Sequence, residues 1–328
     1  MNYIEVKDVV KKYDGHIALN HVSLSVPEGS IYGLLGPNGA GKTSLIRILN
    51  RITRPDFGTV LIGGQPLTAE RVAQIGYMPE ERGLYKKMKV GEQIVYLAQL
   101  KGLSRREAVV RMQEWLKRFD LTEWQDKKLE ALSKGMAQKV QFIATVLHQP
   151  KLLIFDEPFS GFDPVNAEQL KREILRLRDE GSTVLFSTHN MASVEEVCEE
   201  ITLINHAEVV LQGRVSEVRQ KFKKQLYHVG ISLPNALMGT PERVTLEQEA
   251  AGLFSVEEMR HTEQGVDVTL RLSPQTTMHD VIGLLNDRYT LYAFQEILPS
   301  MQEVFIETVQ GAIAEQSAED VAPQSSCS

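Results

Sequence analysis

Gly36-Pro37-Asn38-Gly39-Ala40-Gly41-Lys42-Thr43 decides the fold of this 328-residue chain. Two glycines frame four residues, and Lys and Thr follow, which is the phosphate-loop pattern. The apolar run Ile31 to Leu35 comes before it and a helix-like run, Ser44 to Leu49, comes after. That is the strand–loop–helix setting in which such a loop holds an anion. Glycines let the backbone turn back on itself without a Cβ clash, so several N–H groups aim at one phosphate. The helix adds its positive N-terminal end. The expected nucleotide-binding residues are therefore Gly36, Pro37, Asn38, Gly39, Ala40, Gly41, Lys42, Thr43 and Ser44. Lys42 is spaced for the β- and γ-phosphates, and Thr43 for a magnesium ion.

A second run carries the complementary chemistry. Leu152-Leu153-Ile154-Phe155-Asp156-Glu157 is a hydrophobic strand that ends in two carboxylates. Such a strand would deliver Asp156 to magnesium at the C-terminal edge of a parallel sheet. Glu157 would then polarise a water for attack on the γ-phosphate. An acidic pair after a strand also occurs at ordinary solvated turns. Leu132-Ser133-Lys134-Gly135-Met136 opens a helix, with Ser133 as its natural N-cap and Gly135 leaving the first turn bare. Taken alone, this is equally an ordinary capped helix.

The intervening chain reads as a doubly wound α/β core with a helical insertion. Tyr3 to Val6, His21 to Val26 and Thr59 to Ile62 alternate as strands. Val90 to Leu100 is a helix closed by Gly102, and Ser104 with Glu107 forms a capping box for the next. That helix carries Val109, Met112, Trp115, Leu116 and Phe119 near helical spacing. A further helix runs from Ser133 to about Leu147. Leu152 to Phe155 and Thr183 to Phe186 are short apolar runs of the buried parallel type, with a crossover helix from Ala167 to Leu177 between them. Beyond Gly213 a short basic helix (Arg219, Lys221, Lys223, Lys224) leads into an α+β segment. There Val266 to Leu270 reads as a strand, and His279 to Asn286 and Met301 to Val309 as helices. From about Gln310 the chain is rich in Ala, Ser, Gln and acidic residues, a composition expected to be disordered.

Composition narrows the function classes. The formal net charge of −7 disfavours a broad affinity for nucleic acid. No apolar run approaches the roughly 20 residues that span a bilayer, and the start Met1-Asn2-Tyr3-Ile4-Glu5 lacks the pattern of a signal peptide. The two cysteines, Cys198 and Cys327, suggest no disulfide framework. These features fit the cytoplasm, with any work at a membrane done through a partner. The histidines show no metal-ligand spacing.

In this order and spacing, the phosphate loop, the Leu-Ser-x-Gly segment, the strand ending Asp-Glu and Ser187-Thr188-His189 resemble the nucleotide-binding subunit of ABC transporters. The resemblance covers about residues 3 to 213. It implies a P-loop NTPase core of the ABC ATPase kind, with an antiparallel β subdomain and a helical subdomain over about 81–132. A linker helix at 214–224, an accessory α+β domain at 225–310 and a disordered tail at 311–328 would follow. It implies ATP and Mg2+ as cofactors, Tyr13 as the residue stacking on adenine, and Glu157 and His189 as catalytic, His189 contacting the γ-phosphate. Thr43, Asp156 and Glu80 would approach the metal. Ser133, Lys134, Gly135 and Met136 would act in trans on the nucleotide of a second subunit, and Asp163, in Ser160-Gly161-Phe162-Asp163, would lie in a loop at the dimer interface.

Three positions depart from the family pattern. Glu80 stands where Gln is usual and cannot donate a hydrogen bond as an amide can. Lys134 and Met136 stand where Gly and Gln are usual. Phe294 with Pro299 to Ile306, and Glu80-Glu81-Arg82-Gly83-Leu84-Tyr85, are similar to bacterial subunits of the sodium-, drug- and antibiotic-export type. The implied protein is a cytoplasmic ATPase on the inner face of the membrane, dimerising under ATP and driving a separate multi-span permease. Its helical subdomain, with Tyr85 and Tyr96, would press on that permease. Lys221 to Lys224 would lie near anionic lipid or form a solvated helix face. A soluble ABC ATPase acting on ribosomes or nucleic acid is the alternative, and a non-catalytic nucleotide-gated clamp is a third reading.

Overall fold

The computed structural model describes residues 1–81, 83–232, 243–250 and 252–321. Two compact units emerge, one from Met1–Val215 together with the chain from Ile306 onward, the other from Ser216–Phe305.

The first unit holds two sheets. An antiparallel sheet is built from β1 (Asn2–Tyr13), β2 (His16–Pro27), β4 (Phe57–Ile62) and β5 (Gln65–Pro66), in the order β2-β1-β4-β5. The β1–β2 hairpin closes with Tyr13 opposite His16. Its two turn residues, Asp14 and Gly15, both take positive φ (35° and 84°), the geometry that matches strand twist in a two-residue hairpin. A second, mostly parallel sheet takes β3 (Ile31–Leu35), β6 (Ile75–Met78), β7 (Leu152–Asp156), β8 (Thr183–Thr188), β9 (Glu200–Asn205) and an antiparallel edge strand, β10 (Glu208–Arg214). Its order is β10-β9-β3-β8-β7-β6. β3, β7 and β8 are buried along their whole length, as strands covered on both faces must be.

Helix α1 (Lys42–Leu49) joins the two sheets in one core. Its Leu45, Ile46 and Leu49 pack with Ile4, Val9 and Leu24 from the first sheet and with Leu34, Ile154 and Leu185 from the second. The phosphate loop is thereby fixed at both ends by buried apolar side chains. After α2 (Ala69–Ala73) the chain forms the helical insertion, with α3 (Val90–Leu100) and α4 (Arg105–Arg118), and returns through α5 (Lys134–Val146). The Ser104–Glu107 capping box is present in both directions. Aromatic rings link this insertion to the sheet. Trp115 stacks on Phe119, Phe119 meets Phe142 at 5.7 Å between centroids, and Phe142 meets Phe155 at 5.6 Å. Phe155 immediately precedes Asp156, so this packing holds the strand end that carries the acidic pair. Truncating a ring buried this fully costs roughly 3–5 kcal/mol. Helices α6 (Pro164–Asp179) and α7 (Met191–Val197) flank β8 in sequence.

Past α5, His148 is largely buried, and among the described residues neither of its ring nitrogens finds a well-formed hydrogen bond. Burial, followed by the Lys101 charge, lowers its pKa to about 4. The unfolded chain therefore takes up this proton near pH 6.5 while the folded chain resists until about 4. The unfolded state binds more protons in that window, so stability falls as pH drops through it and levels off below. His148→Gln should flatten this slope by up to about 3 kcal/mol, read from urea midpoints across pH 7 to 4. A variant slope equal to the wild type would remove His148 as the cause.

The second unit begins with α8 (Val215–Lys221), which crosses the boundary between the units and occupies the segment expected to link two domains. An antiparallel sheet follows, from β11 (Leu226–Ser232), β12 (Phe254–His261), β13 (Gly265–Leu272) and β14 (Thr290–Ile297), in the order β12-β13-β11-β14. Leu246 of α9 (Arg243–Glu249) and Val281 and Leu285 of α10 (Met278–Asn286) share a core with Val229, Ile231, Val268 and Leu270 of the sheet. The last helix, α11, runs Met301–Val321. Its backbone continues well past 310, where composition predicts a disordered tail. Ala, Glu and Gln are strong helix formers, and no proline interrupts them before Pro323. Of the expected tail, residues 322–328 lie outside the described residues, as does Arg82 of the Glu80–Tyr85 segment.

Candidate nucleotide site

The loops that matter leave the parallel sheet at one edge. β3 ends at the phosphate loop, β6 just before Pro79-Glu80, β7 at Asp156-Glu157 and β8 before His189. β3 lies between β9 and β8, so successive connections diverge there. Such a switch point opens a crevice at the C-terminal ends of the strands. A cavity of about 340 Å³ occupies it, with a wall that takes in Tyr13, Lys42, Thr43, Glu80, Asp156 and Glu157. Asn38, Gly39, Ala40, Gly41 and Ser44 complete the expected loop contribution. Gly36 and Pro37 are not wall residues, although their carbonyls hold Lys42. His16, Ala18 and Arg47 also line the cavity, and sequence reasoning missed them. The signal for Arg47 was its spacing: it falls one helical turn after Thr43 on α1, hence on the same face.

Local backbone geometry explains the glycines. Gly41 takes φ 116° at the N-cap of α1, and no side chain caps that helix. Its first N–H groups stay open toward the cavity, the arrangement that binds an anion. A Cβ at Gly41 would lie 2.3 Å from the Ala18 carbonyl oxygen, so only glycine fits. The Lys42 ammonium donates to the carbonyls of Gly36 (2.6 Å) and Pro37 (3.1 Å). Burial lowers its pKa, while the charges of Glu157, Asp156 and Glu80 oppose that shift.

The acidic pair is held by β8 and the residues after it. Asp156 accepts a short hydrogen bond from the Ser187 hydroxyl. Burial raises the Asp156 pKa, the Ser187 bond pulls it back and Glu157 raises it further. Glu157 adopts φ 49°, a sparsely populated conformation for a residue with a side chain. This turn aims its carboxylate at Thr188 and His189. Oε1 accepts from the His189 backbone N–H at 3.0 Å and lies 2.7 Å from His189 Nδ1, and Oε2 accepts from the Thr188 hydroxyl at 3.2 Å. His189 is thus joined to Glu157 and is not part of the cavity wall.

Ser133, Lys134, Gly135 and Met136 lie apart from this wall. Ser133 caps α5 by accepting from the Met136 N–H at 3.3 Å. The Lys134 side chain lies against Gly161, and Phe162 and Asn166 border Gly135. Asp163 caps α6, accepting from the Asn166 N–H at 3.0 Å. The two segments expected at a dimer interface therefore form one continuous surface. Tyr13 stands at the hairpin end, 37% exposed, with its ring 5.2 Å from the Lys11 ammonium.

Comparison with known proteins agrees with this geometry. Residues 19–160 match the family model described as ABC transporter, and residues 213–309 match that of the ATP-binding protein DrrA1-3-like C-terminal domain. The uncharacterized ABC transporter ATP-binding protein YhaQ of Bacillus subtilis is 38% identical over 312 residues, which cover 95% of this chain and 100% of the relative. The linearmycin resistance ATP-binding protein LnrL of the same organism is 32% identical over 66% of this chain and 70% of its own length. A solved structure described as an ATP binding subunit of an ABC transporter aligns with a TM-score of 0.63 and 31% identity, covering 67% of this chain and 93% of that one. The chain belongs to the ABC transporter ATP-binding family and is an ATP-binding, ATP-hydrolysing subunit of a transporter, with a DrrA-like C-terminal domain.

Proposed function

We propose that this chain powers export through a separate multi-span membrane subunit, and that each of its ATP sites is shared between two ATP-binding subunits. One observation carries this reading. Lys42, Asp156 and Glu157 converge on one cavity, while Ser133 and Gly135 sit on another surface beside the Ser160–Asp163 loop. A second subunit, a copy of this chain or a related one, would bring Ser133 and Gly135 over the γ-phosphate, with Asp163 in the interface. ATP would join the subunits and hydrolysis would release them.

The donor set suits Mg2+. Thr43, Asp156 and Glu80 offer hard oxygens, and among the described residues no group of three His, Cys, Asp or Glu could hold a metal unaided. Mg2+ typically takes one or two protein ligands and completes its shell from phosphates and water. Bound there, it would neutralise phosphate charge. Lys42 would leave the carbonyls of Gly36 and Pro37 for the β- and γ-phosphates, Tyr13 would stack on the base, and Glu157 would orient the attacking water, with His189 holding that carboxylate.

No helix among the described residues is long and apolar enough to cross a membrane. In this reading the chain sits peripherally on the cytoplasmic face, held there by its membrane partner. Tyr85 and Tyr96, exposed and paired edge to face at 6.5 Å, offer a contact surface on the helical insertion. Export draws support from the name of LnrL, which marks that relative as a resistance protein. To test this, tagged Glu157→Gln protein would be trapped with ATP in cells and purified in mild detergent. Co-purification of a multi-span membrane protein is the expected result. Ribosomes or nucleic-acid complexes without one would overturn the reading.

A further inference from the structure

We infer that Gln138 and Gln141 are positioning residues through which α5 sets the two catalytic carboxylate loops. They sit three residues apart, hence on one face of the helix. Both are buried, with side chains that end at catalytic loops distant in sequence. Gln138 Nε2 donates to the Pro158 carbonyl at 3.1 Å, and Pro158 directly follows Glu157. Gln141 Nε2 donates to the Pro79 carbonyl at 2.8 Å, and Pro79 directly precedes Glu80. Neither glutamine belongs to the wall of the nucleotide cavity. Each acts one residue removed from the carboxylate it controls.

The choice of glutamine follows from the geometry. Proline has no N–H, so at Pro158 and Pro79 the backbone offers α5 only a carbonyl, and the group that meets it must be a donor. An amide supplies one without burying a charge. Among the described residues, the Gln138 carbonyl oxygen is itself buried without a hydrogen-bond partner. Pairing its NH2 with Pro158 outweighs satisfying that oxygen, and orphaned polar atoms of this kind call for a reason. Holding the Glu157 loop supplies one.

This inference rests on the shared-site reading above. α5 is capped by Ser133, the residue proposed to close over the nucleotide of the second subunit. A single rigid helix would therefore present Ser133 to one site while fixing Glu157 and Glu80 in the other.

The test replaces each glutamine with methionine, which keeps the length and removes the donor, singly and together in the full chain. ATP affinity, ATP-dependent dimerisation, melting temperature and steady-state hydrolysis are measured beside the wild type. The double variant should lose about ten- to a hundredfold in kcat, with nucleotide affinity and dimerisation close to wild type. Unchanged kcat in an active background overturns the inference. So does a fall in kcat that comes with matching losses of affinity and melting temperature, since that is a packing effect. A wild type that neither hydrolyses ATP nor dimerises with it overturns the shared-site reading, and this inference with it.

Discussion

Glu157→Gln should cut ATP turnover by about a hundred- to ten-thousandfold, the range typical of losing a general base, and leave an ATP-bound dimer that persists. The amide keeps the shape of the side chain and can still accept from the His189 backbone N–H that now meets Glu157 Oε1. It cannot take a proton from water. The strained φ of 49° at this position is set by the backbone and should survive the substitution. Binding and chemistry are thereby separated, because the phosphate loop and Lys42 are untouched. Phosphate release at saturating ATP reads the chemical step, and light scattering with and without ATP reads the dimer. Turnover at the wild-type rate would remove Glu157 from catalysis.

Lys42→Ala should weaken ATP binding by about ten- to a hundredfold, since a charge-assisted hydrogen bond contributes roughly 1.5–3 kcal/mol and each 1.4 kcal/mol is tenfold. The Lys42 ammonium is buried among Glu157, Asp156 and Glu80, and it donates to two loop carbonyls. Without it, those carboxylates repel the incoming phosphates more strongly. Equilibrium binding of a fluorescent ATP analogue reads the effect. Undiminished affinity would contradict the assignment of the phosphate loop.

Much of this site is legible in the sequence because its demands are local. The glycine spacing of the phosphate loop reports a backbone that admits no Cβ, as the 2.3 Å approach to Ala18 shows at Gly41. α3 follows its periodic pattern from Val90 to Leu100, and Ser104 and Glu107 form the capping box their spacing predicts. The hairpin at Asp14-Gly15 carries an equally local signal, the Asp-Gly pair between alternating strands, yet it lies beyond the strand expected at Tyr3 to Val6. Other features depend on partners remote in sequence. Ser187 follows an apolar run, and nothing nearby tells that its hydroxyl meets Asp156, 31 residues away. Gln138 and Gln141 read as polar interruptions of an apolar helix until the Pro158 and Pro79 carbonyls are seen beside them. β9, β10 and β14 alternate only weakly, and their pairing partners rather than their own residues define them.

The central claim, that one ATP site needs two chains, has a direct test in mixing two proteins impaired in different halves of the site. Lys42→Ala disables the phosphate loop and keeps Ser133. Ser133→Arg blocks the signature turn and keeps Lys42. A mixed dimer contains one site with both defects and one with neither, so at an ATP concentration too low to load Lys42→Ala, hydrolysis on mixing should rise well above that of either protein alone. Full activity of Ser133→Arg alone, or no recovery in the mixture, would contradict a site shared between two copies of this chain.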